Sequence, residues 1–262
     1  MTEQIGDRSR ATTVWWLVGV GVATGVMAGL LGVGGGIIMV PALVALGYNR
    51  HQATATSLAA ILLVAVAGAV PFAIAGDVAV STGVALGGGG LLGSTIGAHW
   101  MNRMSGVNLA RIFGVVLLIA GLRLAIGGGV SGPGSQLHPL LTVAIELLVG
   151  VVAGVLSGLA GIGGGVVLVP AMVLLLGFDQ HSAEGTSLLA ILFTAAAGTR
   201  VNIKHHHVDW RAMVILGAAG AVLAPLSAGL AQRIPAETLG RLFGVFAIVN
   251  AVHTLWKARA SG

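Results

Sequence analysis

Gly32-Val33-Gly34-Gly35-Gly36-Ile37-Ile38-Met39-Val40-Pro41 returns 129 positions later as Gly161-Ile162-Gly163-Gly164-Gly165-Val166-Val167-Leu168-Val169-Pro170. At the same offset Gly25 and Gly29 pair with Gly154 and Gly158. One inserted residue later, an offset of 130 pairs His51 with His181, Thr56-Ser57-Leu58 with Thr186-Ser187-Leu188, Arg103 with Arg233, and Arg111 with Arg241. A self-match at a fixed interval marks a duplicated structural unit. The chain therefore reads as one domain, 1–262, made of two copies, about 12–127 and 138–257. The uncharged stretch from Gly127 to Pro139 joins them, and its glycines and prolines make it a loop.

The composition around these segments places the duplication in a membrane. Only 8% of the 262 residues are charged, against roughly 25% in soluble domains. Apolar residues make up 56% and glycine another 43 positions, so helices drawn from this chain are apolar all round, as lipid-solvated helices are. Apolar stretches of spanning length run over about 14–32, 53–75, 79–100, 107–127, 139–160, 183–203, 210–230 and 237–256. Two shorter runs, about 36–47 and 165–177, follow the glycine clusters. They reach only ~18–20 Å, less than the ~30 Å hydrocarbon core, and are either short tilted spans or half-helices. The fold class is all-α, a polytopic membrane protein. The net charge of +5 comes from basic residues scattered in short loops, which form no continuous face for nucleic acid. Zero cysteines exclude disulfides and thiol catalysis. Arg8 and Arg10 ahead of an apolar run resemble a secretory signal, but that run has a counterpart in the second copy and belongs to the fold.

The basic residues arbitrate topology. If the short runs cross, there are ten spans with both termini in the cytoplasm. Arg8, Arg10, Arg50, Arg103, Arg111, Arg200, Lys204, Arg211, Lys257 and Arg259 then lie inside, and Arg123, Arg233 and Arg241 outside. If the short runs merely re-enter, there are eight spans, Arg50, Arg103, Arg111, Arg233 and Arg241 lie outside, and the asymmetry weakens. Ten spans are favoured. Five crossings per copy turn the second copy upside down, giving two inverted five-helix repeats, each with a glycine-rich broken helix.

The glycine clusters are the strongest functional signal. Closely spaced residues without side chains break a helix and free backbone N–H groups, which lipid tolerates only where the break is buried in protein or lines a cavity. The short helix that follows aims its N-terminus inward, so its dipole and free amides at Gly34, Gly35, Gly36, Gly163, Gly164 and Gly165 form an anion-binding pocket. The competing reading, close helix packing, suits Gly25, Gly29, Gly154 and Gly158. Thr56, Ser57, Thr186 and Ser187 can donate hydroxyls to an anion or bond to a carbonyl one turn back. Arg200 attracts or directly ligates an anion, or snorkels to the interface. Glu146, the one carboxylate well inside a span, is the candidate for coupling to protons, with a structural ion pair to Arg123 as the alternative.

Other features read as structure. Lys204-His205-His206-His207 has too little acidic support for a metal tract and suits an interfacial basic loop. His51 and His181 fall just beyond the short helices, as caps or as the lining of an entrance. Gly88 to Thr95 has the glycines of a phosphate loop without its lysine. Hydrolase and metalloprotease signatures are absent, so no enzyme and no cofactor is expected. The glycine-rich helix near Gly87 to Gly97 offers a face for a homodimer.

The duplicated Gly-x-Gly-Gly-Gly-x-x-x-x-Pro at Gly32 to Pro41 and Gly161 to Pro170, with Ala53 to Leu58 and Ala183 to Leu188, resembles the TauE/SafE family of membrane permeases. The likeness covers about 14–256 and implies a multi-pass transporter of the prokaryotic cytoplasmic membrane. Such a protein exports sulfite or a small organosulfonate such as sulfoacetate. A passive anion channel and, further off, an intramembrane enzyme are the rivals. One departure is that Ala53-Thr54-Ala55 stands where the second copy has Ala183-Glu184-Gly185, so the two half-sites are not equivalent.

Overall fold

The computed structural model describes residues 2–100, 106–127 and 138–260; Arg103 and linker residues 128–137 lie outside them. Among the described residues the chain is all-helical: α1 (Thr2–Leu31), α2 (Gly36–Ala45), α3 (Arg50–Ala75), α4 (Val80–Trp100), α5 (Gly106–Gly127), α6 (Pro139–Ala160), α7 (Gly165–Leu175), α8 (Gln180–Lys204), α9 (Trp210–Ala231) and α10 (Ala236–Ala260). Each half thus places one short helix second among long ones. By length and composition six of the described helices, α1, α3, α6, α8, α9 and α10, can cross a membrane. α2 and α7, of 10 and 11 residues, are only about 15–17 Å long.

Local chemistry sets the helix starts. Asn49, Asp179 and Asp209 each place a side-chain oxygen on the amide three residues on, at Gln52, Ser182 and Ala212, the geometry of an N-cap. Outward faces keep large apolar side chains exposed, among them Ile74, Ile126, Leu140 and Val222. That pattern suits a protein whose surroundings are hydrocarbon. Trp210 is exposed at the start of α9, Trp256 near the end of α10 and Trp15 near the start of the apolar span Thr13–Leu31 of α1, as interfacial tryptophans are.

Packing registers fix helix directions. Gly21, Gly25 and Gly29 of α1 meet Leu216, Gly220 and Ala224 of α9 in the same order, so α1 and α9 run parallel. Gly68 of α3 lies against Ala224 and Gly217 of α9 against Leu63, which adds α3 to that direction. The second set mirrors the first. Gly150, Gly154 and Gly158 of α6 meet Leu86, Gly90 and Ser94 of α4, and Gly83 and Gly87 of α4 meet Leu189 and Phe193 of α8. Between the sets the order reverses, with Gly68 against Leu188 and Gly198 against Leu58. α1, α3 and α9 therefore point one way, and α4, α6 and α8 the other. α5 and α10 are also opposed, since Gly114 meets Leu255 and Gly121 meets Gly244. Because α1 and α3 share a direction, the segment between them, α2 included, has to carry the chain back.

These seams consume the small residues. Gly25 and Gly29 pack on α9, and Gly154 and Gly158 on α4, at distances only residues without Cβ allow. The face near Gly87 to Gly97 is occupied within the chain. Gly89, Gly93 and Gly97 press on the α6 backbone at Leu147, Val151 and Val155, and Gly87 and Gly90 on Phe193 and Thr194 of α8. Gly88, where a Cβ meets nothing within 4 Å, stays on the outward side of α4 beside the exposed Leu91, Leu92 and Ile96.

Candidate functional site

Both glycine clusters break the chain as their composition predicts. Gly32, Gly34 and Gly35 have φ of 64°, 73° and 74°, and Gly161, Gly163 and Gly164 have 71°, 85° and 89°. This left-handed region costs nothing only to glycine. α2 then starts with the amides of Ile38 and Met39 donating to the Gly35 carbonyl, and α7 with those of Val167 and Leu168 donating to Gly164. The amides of Gly36, Ile37, Gly165 and Val166 precede the first intrahelical acceptor.

The two breaks meet at the centre of the molecule. A Cβ on Gly36 would collide with the Gly161 carbonyl, and one on Gly165 would stand 2.6 Å from the Gly32 carbonyl oxygen. Gly34 and Gly163 both lie against Ile61 of α3 and Ile191 of α8. The two serines brace this junction reciprocally. Ser57 Oγ donates to the Gly161 carbonyl at 3.0 Å, and Ser187 Oγ to the Gly32 carbonyl at 2.8 Å. Each half thereby holds the break of the other half. Thr56 Oγ1 accepts from the Asp209 amide at 3.0 Å, and Thr186 Oγ1 from the Ala79 amide at 2.9 Å. These threonines tie α3 and α8 to the turns entering α9 and α4, and the bonds leave their own hydroxyl hydrogens uncommitted.

The junction is closed in this conformation. Gly32 to Gly36 and Gly163 to Gly165 are buried, so the amides expected to line an open pocket face packed protein. Two hollows lie elsewhere. One of about 380 Å³, between α5, α6 and α7, is walled by aliphatic side chains such as Leu117, Val149 and Val167. The other, of about 270 Å³, is lined by Thr13, Tyr48, Asp209 and Arg211 with apolar neighbours.

Two further residues are placed away from the breaks. Arg200 is exposed on α8, six residues past Thr194, whose hydroxyl donates to the Gly163 carbonyl at 2.9 Å. Glu146 is buried and accepts from Thr82 Oγ1 at 2.8 Å, joining α6 to α4. The pair with Arg123 does not form; among the described residues the one ion pair is the exposed Arg241–Glu237. Arg123 is exposed and, as a cation with access to water, gains little from seeking a buried carboxylate.

Besides Thr194, sequence reasoning passed over three side chains that the fold presses on the breaks. Thr24 lies on Gly35, Thr54 on Gly161 and Glu184 on Gly32. All three are fully buried, and Thr24 Oγ1, Thr54 Oγ1 and Glu184 Oε2 have no hydrogen-bond partner. Thr54 and Glu184 occupy equivalent positions of the two copies, and that one difference between the half-sites was the legible signal. Unpaired polar atoms are scarce in a packed interior because each one forfeits its hydration. All three of these atoms lie at one junction.

A polar cluster closes one end of the bundle. Tyr48 Oη donates to Asp209 Oδ2 at 2.7 Å, tying the α2–α3 loop to the start of α9. Burial, then the bond to Asp209 and its charge, push the Tyr48 phenol up to about 12. Burial works against the Asp209 carboxylate, but the Ala212 amide, Tyr48 and Arg211 hold it below its ordinary value. His207 stacks on His51 at 5.5 Å and on His205 at 5.8 Å. Burial first, then those two rings, lower its pKa. His181 instead lies within hydrogen-bond distance of the Ala231 and Ile234 carbonyls at the end of α9.

The model of a protein family described as "Sulfite exporter TauE/SafE" matches residues 2–124 and again 146–262. The chain is 30% identical over 249 residues to a probable membrane transporter protein of Xylella fastidiosa (strain 9a5c), covering 93% of this chain and 95% of that protein. It is 26% identical over 265 residues to the probable membrane transporter protein YunE of Bacillus subtilis (strain 168), covering 92% and 97%. No solved structure matches.

Proposed function

Because the chain belongs to the TauE/SafE sulfite exporter family, we propose that it is a secondary transporter exporting a small sulfur-containing anion, sulfite or an organosulfonate such as sulfoacetate, by alternating access. The observation that carries this reading is the buried meeting of two helix breaks, where Thr24 Oγ1 and Thr54 Oγ1 lie without partners. When the breaks part, the amides of Gly34, Gly35, Gly36, Gly163, Gly164 and Gly165 become donors at two helix N-termini, which favour an anion. Ser57 and Ser187 then exchange a carbonyl for an anion oxygen, and Thr56 and Thr186 contribute uncommitted hydroxyl hydrogens. Arg200 draws the anion toward the membrane surface without touching it at the centre.

The opposed directions of α1 and α6, α3 and α8, and α5 and α10 support inverted repeats rocking around the junction. The return of the chain between α1 and α3 supports ten crossings, and the distribution of lysine and arginine supports cytoplasmic termini. Single cysteines at Arg50 and Asp179 should label from opposite sides; labelling from one side would refute the inversion.

Sulfite, sulfoacetate, taurine, thiosulfate and sulfate are tested for flux into proteoliposomes. Saturable flux of at least one is expected, with loss in folded Gly35→Val and Gly164→Val. Flux that does not saturate would make the protein a passive anion channel, and chemical change of a probe would make it an enzyme.

A further inference from the structure

Glu184 is the most enclosed carboxyl among the described residues. It is 0% exposed, against 5% for Glu146, and its main chain lies directly on Gly32 of the first break. Oε1 accepts from Gln180 Nε2 at 2.8 Å, while Oε2 has no partner. The Gln180 side chain is itself 1% exposed, and its Oε1 is also unpartnered. Three residues on, Ser187 holds the Gly32 carbonyl. One helical turn of α8 therefore carries both the hydroxyl that keeps the break shut and a carboxyl with an open oxygen.

The neighbours supply no counter-charge. On α8, Asp179 adds a second negative charge while capping the helix through Ser182, and His181 faces the Ala231 and Ile234 carbonyls. From the α3–α4 turn, Asp77 presents its backbone carbonyl to Gly185. Glu146 on α6 is bonded to Thr82, and Arg241 on α10 to Glu237. A carboxylate removed from water needs a cation or a proton, and no described cation lies within ion-pair distance of this one.

We propose that Glu184 is a proton-binding site that couples proton movement to passage of the anion across the adjoining break. This inference rests on the transport reading above and adds the coupling ion. An anion on the freed amides beside Gly32 would face a carboxylate, and a proton on Glu184 Oε2 removes that repulsion. Anion and proton therefore bind together and cross in the same direction, with export driven by the outward gradient of the anion itself. When the break opens to the other side, the proton leaves Glu184 for water as the anion departs. The coupling role anticipated for Glu146 passes to Glu184.

Proteoliposomes containing a trapped pH-sensitive dye are presented with a sulfoacetate or thiosulfate gradient. Inward flow of the probe should acidify the lumen. In Glu184→Gln the acidification should be lost, while exchange of labelled for unlabelled probe continues and no longer depends on pH. Acidification that survives in Glu184→Gln, that disappears in Glu146→Gln instead, or that requires sodium would overturn the proposal.

A second measurement does not depend on transport. Infrared difference spectra of the purified protein between acid and alkaline pH should contain a protonated-carboxyl band that vanishes in Glu184→Gln. The band should shift in Gln180→Leu, which retains the carboxyl and removes its amide partner. An unchanged band in Glu184→Gln overturns the proton site even if neither probe is carried. Failure of both probes to move, with the band behaving as expected, counts against the substrate class and leaves the proton site supported.

Discussion

Gly165→Ala should destabilise the protein by driving the two breaks apart. Gly165 has ordinary helical geometry, so alanine costs nothing in backbone conformation and gains about 0.5–1 kcal/mol of helix propensity. Against that gain, the new Cβ would stand 2.6 Å from the Gly32 carbonyl oxygen and 2.8 Å from Val33 Cα, where ordinary contact begins near 3.4 Å. Two of its nearest neighbours are backbone, so the breaks must separate by about 0.8 Å at the Gly32 carbonyl. Overpacking of this kind costs about 1–3 kcal/mol, leaving a net loss of up to about 2.5 kcal/mol, or a fall in Tm of up to roughly 10 °C. Gly19→Ala is the matched control, since a Cβ there meets nothing within 4 Å; it should leave Tm unchanged or raise it. Thermal unfolding in detergent reads both. Equal stability of the two variants would refute the direct contact between breaks on which the site rests.

Ser57→Ala and Ser187→Ala each strand a buried carbonyl, Gly161 or Gly32, so each should cost about 1–3 kcal/mol in the same unfolding assay. Equal stability to wild type would mean the serines do not brace the junction. Tyr48→Phe removes the bond to Asp209 and should cost about 0.5–1.5 kcal/mol. Because the folded state raises the phenol to about 12, its contribution is complete below its unfolded pKa near 10 and fades as pH rises through the folded value. The stability difference between Tyr48→Phe and wild type should therefore shrink in strong alkali. The His207 pKa is lowered, so its contribution is present above about pH 6.5 and is lost as pH falls through the lower folded value. Thermal unfolding should show an acid loss of stability below that pH, reduced in His207→Gln; an identical acid limb in the variant would place the titration elsewhere.

What the chain alone determined were properties that reside in short stretches. Apolar runs made it a membrane protein, the repeat interval gave two copies, and the clusters at Gly32 and Gly161 located the breaks, since a run of glycines cannot hold a helix whatever surrounds it. The side chains Thr56, Ser57, Thr186 and Ser187 were recognised for the same reason, from their recurrence beside each break. Their partners were not legible. Ser57 meets Gly161 across 104 residues and Ser187 meets Gly32 across 155, so the register between distant helices decided what each hydroxyl does.

Tertiary packing also moved the weight among the acids. Glu146 sits deep in its helix and found Thr82, while Glu184, near the start of α8, was carried by the return of the chain onto the opposite break. Depth along a helix measures distance from water in one dimension. Enclosure depends on what the other helices place around that point, and only the assembled bundle supplies it.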